Sequence, residues 1–235
     1  MMKLLTNSFS YNDLSPSIKS TIVVTIVLII ILLIISRKLN KYKYTDTPSG
    51  LILILEWLIG GINDMCKNTI GKNYRKVAPY IVTLAIYLFV ANISGLFGLT
   101  PPTASVSVTI TLGLITFTLI QFTSVKSSGI LGYLKGYADP NPLFLPINII
   151  GEIATPFSLG LRLFGNILSG SVIMAIFYSI LGYAAVFVAP VFHCYFDIFS
   201  GYIQTLVFCT LTTIFIAGKM PEEDVDYFDT HEEVI

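Results

Sequence analysis

Arg162 lies inside a long apolar run, Ser158-Leu159-Gly160-Leu161-Arg162-Leu163-Phe164-Gly165-Asn166. A guanidinium near the centre of a bilayer costs about 2.5–3.5 kcal/mol on insertion scales, so it needs a carboxylate, a wet cavity or a partner subunit. Its proton effectively never leaves. That excludes proton carriage and leaves a permanent positive field as the chemistry it can offer. Helical spacing puts Arg162, Asn166 and Ser169 on one face, with Gly165 and Gly170 beside them where another backbone can approach. A second stripe follows at helical spacing: His193, Asp197, Gly201, Gln204 and Phe208. Aligned polar side chains within a membrane face a bundle interior or a cavity. Two arrangements are open: an Arg162–Asp197 ion pair inside the chain, or an Arg162 that acts on a carboxylate passing by.

Such residues need long apolar helices to hold them. Hydrophobic residues make up 54% of the 235 and charged residues 12%, about half the charge usual in soluble domains. Several runs reach the roughly 18–20 residues that cross a hydrocarbon core of about 30 Å. The chain is therefore an all-α integral membrane protein. Its formal net charge of zero gives no electrostatic case for nucleic acid. Cys66, Cys194 and Cys209 are odd in number and far apart, which argues against a disulfide framework or a zinc site and for buried, inert thiols.

Residues 1–17 are polar and turn-rich. In the next unit, 18–76, a first span from Ile18 to Ile35 carries its basic residues after the apolar run, at Arg37, Lys38, Lys41 and Lys43. That order suits an uncleaved span with its N-terminus outside. Leu51, Ile52, Leu55, Leu58, Ile59 and Ile62 then repeat at helical spacing between Pro48 and Gly71, interrupted by Glu56, Asn63 and Asp64. This is an amphipathic helix at the inner interface; a short transmembrane helix is the alternative. Lys67, Lys72, Arg75 and Lys76 keep that side basic.

The second and third spans occupy 77–125: Val77 to Leu99 carrying Asn92, an outside turn at Thr100-Pro101-Pro102-Thr103, and a return from Ser105 to Thr123 rich in hydroxyls. Those hydroxyls can bond back to their own helix. An inside loop is expected over 126–146. The region 147–218 then breaks at Gly182-Tyr183, giving two arms of about 35 residues or ~50 Å each if helical. That exceeds one crossing, so the arms must tilt strongly or extend beyond the membrane. The tail 219–235 is acidic and expected inside. The expectation is five transmembrane helices plus one interfacial helix, the last two a long hairpin, with the C-terminus cytoplasmic.

Ser158 to Asn166, followed by Asp197-Ile198-Phe199-Ser200-Gly201-Tyr202-Ile203-Gln204, closely resembles the a subunit (subunit 6) of the rotary F-type ATP synthase. Pro101-Pro102-Thr103-Ala104 and Pro146-Ile147-Asn148 also look like signatures of that family, and the likeness covers nearly the whole chain. The resemblance implies a stationary subunit that offers two offset half-channels for protons or sodium ions beside a rotating ring of c subunits, with peripheral-stalk b subunits and the rest of the complex as further partners. No cofactor or metal is implied, and nucleotide chemistry belongs to other subunits. A bacterial plasma membrane is expected, with the mitochondrial inner membrane as the alternative.

The resemblance further implies that Arg162 is the essential arginine facing the ring carboxylate. That fits the physics: desolvation keeps a lipid-facing carboxyl protonated, and a nearby guanidinium favours its charged form. By the same carry-over, Asn166 and Gln204 lie along the ion route, and Asp197 takes a relay position on the outside half-channel. Its usual ionisable partner, nine residues after the arginine, is here Ser171, and His193 is the candidate substitute. Ser105 and Ser107 stand where many relatives have Asp and Asn, leaving a less polar outside entrance. Glu152 is the candidate for the inside half-channel, and Asn92 joins the candidate path.

Two other classes compete. A secondary transporter binding an anionic solute at Arg162 would show repeat symmetry and broken helices, and neither is evident. An intramembrane protease using Ser169 or Ser171 lacks a diagnostic motif, and no HExxH is present.

Overall fold

The computed structural model describes residues 15–39, 50–138 and 142–220. The N-terminal segment to residue 14, Lys41 and Lys43, Asp139-Pro140-Asn141 and the acidic tail from Pro221 lie outside the described residues. All regular structure in the described residues is helical: α1 (Pro16–Leu39), α2 (Gly50–Ile70), α3 (Tyr74–Ile93), α4 (Val106–Ala138), α5 (Leu145–Leu181), α6 (Ala185–His193) and α7 (Ser200–Ala217), with short 3₁₀ turns between α2 and α3, α3 and α4, α4 and α5, and α5 and α6. Between α6 and α7, Cys194–Phe199 winds as a π-helix.

Among the described residues, four stretches are long and apolar enough to cross a membrane: Pro16–Lys38, Tyr74–Phe97, Val106–Ser127 and Leu145–Ala217. The last covers 73 residues, and it folds back on itself at Gly182, so it supplies two arms. Gly182 has φ +52° and ψ −123°, a conformation that L side chains rarely adopt and glycine takes without penalty. This is the break legible in the sequence. The first arm, α5, has 37 residues, or about 55 Å of helix.

The core lies where α2, α3, α5 and α7 meet, around Cys66, Ile70, Ile81, Leu88, Leu163 and Phe208. α2 lays Ile62, Cys66 and Ile70 against it, while Leu53, Ile54 and Trp57 nearer its start stay exposed. α1 buries only Ser20, Val24 and Leu28, one narrow stripe at four-residue intervals. Much of its remaining surface is apolar and exposed, Ile26, Ile30, Leu33 and Ile34 among it, as a helix wetted by lipid tails requires.

The closest helix contact is between α4 and α5. Gly113 faces the Pro156 carbonyl so tightly that a Cβ there would overlap it, and a Cβ on Gly160 would stand 2.8 Å from the Thr109 carbonyl oxygen. Without a hydrophobic drive between helices in lipid, small residues that let backbones touch are what holds such a pair.

The turn at Pro101-Pro102-Thr103 packs against the bundle, with Pro102 and Thr103 buried. Two expectations need correction. The loop expected over 126–146 is largely helical: α4 runs to Ala138, bending at Gly129, where φ is +69°. The apolar residues Ile130, Leu131 and Leu134 carry the helical pattern past the lysine at 126. Second, Cys194 is exposed, whereas Cys66 and Cys209 are buried, because the π segment turns Cys194 out of the hairpin seam. Burial pushes the Cys66 thiol up in pKa. In detergent, N-ethylmaleimide is expected to modify Cys194 faster than the buried Cys66 and Cys209, as read by peptide mass spectrometry.

Candidate functional site

Arg162 is exposed on α5, flanked on the same helix by Leu159 and Leu163, which are buried in the core. The buried leucines fix the rotation of the helix and thereby aim the guanidinium away from the subunit. Among the described residues none forms an ion pair with it: Glu152 pairs with Lys219 and Asp197 with His193. The intrachain Arg162–Asp197 pair left open by the sequence is therefore absent. Gly165, one turn on, has nothing within 4 Å of an added Cβ, so within this chain no backbone uses the gap it leaves. Gly170 meets the Phe196 ring at ordinary contact distance.

Asn166 turns the other way, toward the second arm. Its Oδ1 accepts a hydrogen bond of 2.8 Å from the Ser200 hydroxyl, while its Nδ2 is buried and has no protein acceptor. Gln204, one turn beyond Ser200 on α7, is 9% exposed and its Nε2 is likewise unpaired. Buried amide donors without acceptors cost roughly 1–3 kcal/mol each. Two of them along one seam mark where an oxygen atom from water or a partner belongs.

Toward the Gly182 end the seam continues. His193 Nδ1 is 2.6 Å from Asp197 Oδ2, one turn away on the same helix, and His193 Nε2 is 2.9 Å from the Tyr178 hydroxyl on α5. Around them Phe177, Phe192 and Phe196 pack the arms together, the first pair with ring centroids 4.1 Å apart.

At the opposite end Glu152 is tied on both oxygens. Lys219, just past α7, reaches Oε2 at 2.6 Å. Gln121 on α4 donates to Oε1 at 2.5 Å, and Tyr133 donates to Gln121 at 2.9 Å. This network joins three helices around a single carboxylate.

The remaining sequence candidates are held in packing. Asn92 is buried on α3: its Nδ2 donates to the Gly201 carbonyl at 3.3 Å, and its Oδ1 accepts from Thr103 at 3.0 Å. A Cβ on Gly201 would lie 2.9 Å from the Asn92 Cβ, so the amide sits in a close helix contact with both ends hydrogen-bonded. Ser171 turns its hydroxyl back to the Leu168 carbonyl at 2.8 Å. Ser107 is exposed and Ser105 half-buried at the start of α4, where their carbonyls accept from Thr111 and Thr109.

The second stripe divides at the π segment. After it Gly201, Gln204 and Phe208 are buried; His193 just before it and Asp197 within it keep side-chain exposures of 36% and 23%. Sequence reasoning missed Tyr178, Ser200, Gln121 and Lys219. A three-dimensional pairing with an already suspected residue is what singles them out, and no local motif marks any of them.

A family profile described as ATP synthase A chain matches residues 18–217, which is most of the chain. The chain belongs to that family. Among curated relatives it is 34% identical over 190 residues to "ATP synthase subunit a, sodium ion specific" of Propionigenium modestum, a match covering 74% of this chain and 64% of that protein. It is 35% identical over 174 residues to an ATP synthase subunit a of Bradyrhizobium sp., covering 74% and 76%. It is 36% identical over 180 residues to one from Syntrophotalea carbinolica, covering 74% and 75%. The match thus spans somewhat less than two thirds of the Propionigenium protein and about three quarters of the other two. Membership places the chain in the ion-conducting membrane sector of an F-type ATP synthase, with the rest of that complex as its partner.

Proposed function

We propose that this chain is the stationary half of an ion turbine, presenting Arg162 to carboxylates on a rotating c ring. The observation that carries the reading is a guanidinium exposed on a membrane helix while every described acid near the long hairpin has another partner. A buried-depth arginine without a counter-charge of its own requires one from a neighbour. A ring carboxyl that loses its proton beside the guanidinium and regains it away from it would turn ion flow into rotation. The fixed charge also separates the two access routes, since a cation is repelled from crossing directly between them.

The entry route runs down the hairpin seam from Tyr178, His193 and Asp197 through Ser200, Asn166 and Gln204 toward Arg162. The exit route begins near Glu152, whose contacts with Lys219 and Gln121 hold a carboxylate at the opposite end. Five crossings fit this reading: α1, α3, α4 and the two arms, with α2 lying along the inner interface, the N-terminus outside and the C-terminus in the cytoplasm of a bacterium. Peripheral-stalk b subunits would hold the chain still against the ring. Nucleotide chemistry falls to other subunits, since this chain offers a charge and a path.

Purification in mild detergent tests the assembly. A ring of small carboxylate-bearing subunits and a stalk are expected to co-purify with the chain. Recovery of a stable, solitary, folded chain that takes up a labelled carboxylate would favour a secondary transporter instead.

A further inference from the structure

We propose that Lys219 is a tethered counter-ion that fills, on Glu152, the place an alkali cation from the inner side would take, and so decides what the exit route admits. The inference rests on the reading of Glu152 as the start of that route and adds a residue and a selectivity to it. Lys219 Nζ stands 2.6 Å from Glu152 Oε2, with side-chain exposures of 30% and 17%. The pair is partly withdrawn from water, so removing one charge leaves the other uncompensated.

The lysine is held in place by its own backbone. α7 ends at Ala217, yet the chain keeps turning beyond it. The Gly218 amide donates to the Ile214 carbonyl, Lys219 to Ile216 and Met220 to Ala217, at 2.9, 3.1 and 3.0 Å. Met220 then packs against the core. A cation at the C-terminal end of a helix also answers the partial negative charge of its last carbonyls. An ammonium anchored in this way cannot diffuse off, and a free cation must compete with a charge that is always present.

The groups on α4 complete the exclusion. A selective site for a metal cation replaces its hydration shell with several converging oxygens. What converges on Glu152 is hydrogen: from Lys219 Nζ on one oxygen and from the Gln121 amide Nε2 on the other, at 2.5 Å. The oxygen of that amide, which could have served a cation, accepts from the Tyr133 hydroxyl at 2.9 Å. Tyr133 reaches back to Gln121 because α4 bends at Gly129, whose φ of 69° and ψ of 167° belong to a region that is essentially glycine's alone. A proton needs no such shell. An ionised carboxylate offers about four lone-pair positions; Lys219 and Gln121 take one on each oxygen, so a proton can land on Glu152 while both stay in place.

The test uses the assembled complex in inverted vesicles, where the inner mouth faces the medium, with co-purification as the check on assembly. ATP-driven acidification is measured while choline is replaced by potassium at constant ionic strength. The wild type and Lys219→Arg are each expected to keep their rate throughout. Lys219→Gln leaves Glu152 uncompensated and should be slowed several-fold, and saturably, by potassium. A merely structural lysine would lower yield or rate without that response. Where Lys219→Gln fails to assemble, Lys219→His is read instead, since an imidazole is charged below about pH 6.5 and neutral above it. Potassium should then slow pumping well above that pH and leave it unchanged well below. Slowing of the wild type by potassium overturns the proposal, as does an assembled Lys219→Gln, or Lys219→His at high pH, that ignores potassium. Full-rate pumping by an assembled Glu152→Gln would remove the exit reading beneath it, and pumping by Arg162→Ala would remove the turbine reading itself.

Discussion

Arg162→Ala is expected to abolish ATP-driven proton pumping in vesicles while leaving the chain folded and assembled. Folding should survive because the side chain is exposed and makes no ion pair or hydrogen bond to the described residues. Losing it leaves no orphaned partner inside the subunit, and the buried Leu159 and Leu163 that orient the helix are untouched. Removing the guanidinium removes the one fixed charge that would make a lipid-facing carboxyl give up its proton, which burial otherwise holds in place. Arg162→Lys should recover little. An ammonium is a compact point charge that loses its proton readily when desolvated, whereas the guanidinium does not. Coupled pumping at the wild-type rate by Arg162→Ala, in membranes that contain the assembled complex, would sink the assignment.

Gly160→Val is expected to do the opposite: to lose the protein rather than the activity alone. A Cβ at this position would stand 2.8 Å from the Thr109 carbonyl and 3.0 Å from the Ile110 Cα. Both are backbone atoms, so no rotamer change relieves the overlap. Overpacking costs typically about 1–3 kcal/mol and sometimes more, and here two helices must part along their closest contact. Gly113, across the same contact, faces the Pro156 carbonyl and should be as sensitive. The measurement is the amount of chain recovered in membranes and its thermal midpoint in detergent. Gly165→Ala, which meets nothing within 4 Å, serves as the control and should leave both unchanged. Equal recovery of Gly160→Val and Gly165→Ala would show that α4 and α5 are not held by this contact.

Much of this was legible from residue types. The apolar runs placed the helices, Gly182 placed the hairpin turn, and Arg162 declared itself because a charge in such a run has few physical excuses. The pairing of Asp197 was not legible. The sequence put His193 one turn from Asp197 and left an Arg162–Asp197 pair open, and only the fold shows the acid paired with the histidine. Asn92 is a related case: a buried amide can line a path or bridge two helices, and its bonds to Gly201 and Thr103, distant in sequence, are seen only in the fold. Hydroxyls at 109, 111, 116 and 118 bonded back to carbonyls of their own helix as local chemistry dictates, so only Thr116, which also meets Tyr80 at 2.8 Å, ties helices together. Cys194 escaped notice because a residue's exposure after a π turn cannot be counted off at α spacing.

That π segment makes α6 and α7 one rod in sequence and two in rotation. A wider turn takes more residues to complete, so the phase set below Phe199 does not carry through to the phase above Cys194. The lower part is keyed to α3, where Gly201 presses on Asn92; the upper part is keyed to α5, where His193 meets Tyr178. The six residues between act as a coupling sleeve. They let the scaffold fix one face of the helix while the other is free to be aimed at a different neighbour, so substitutions that retune the upper end need not disturb the packing that anchors the lower.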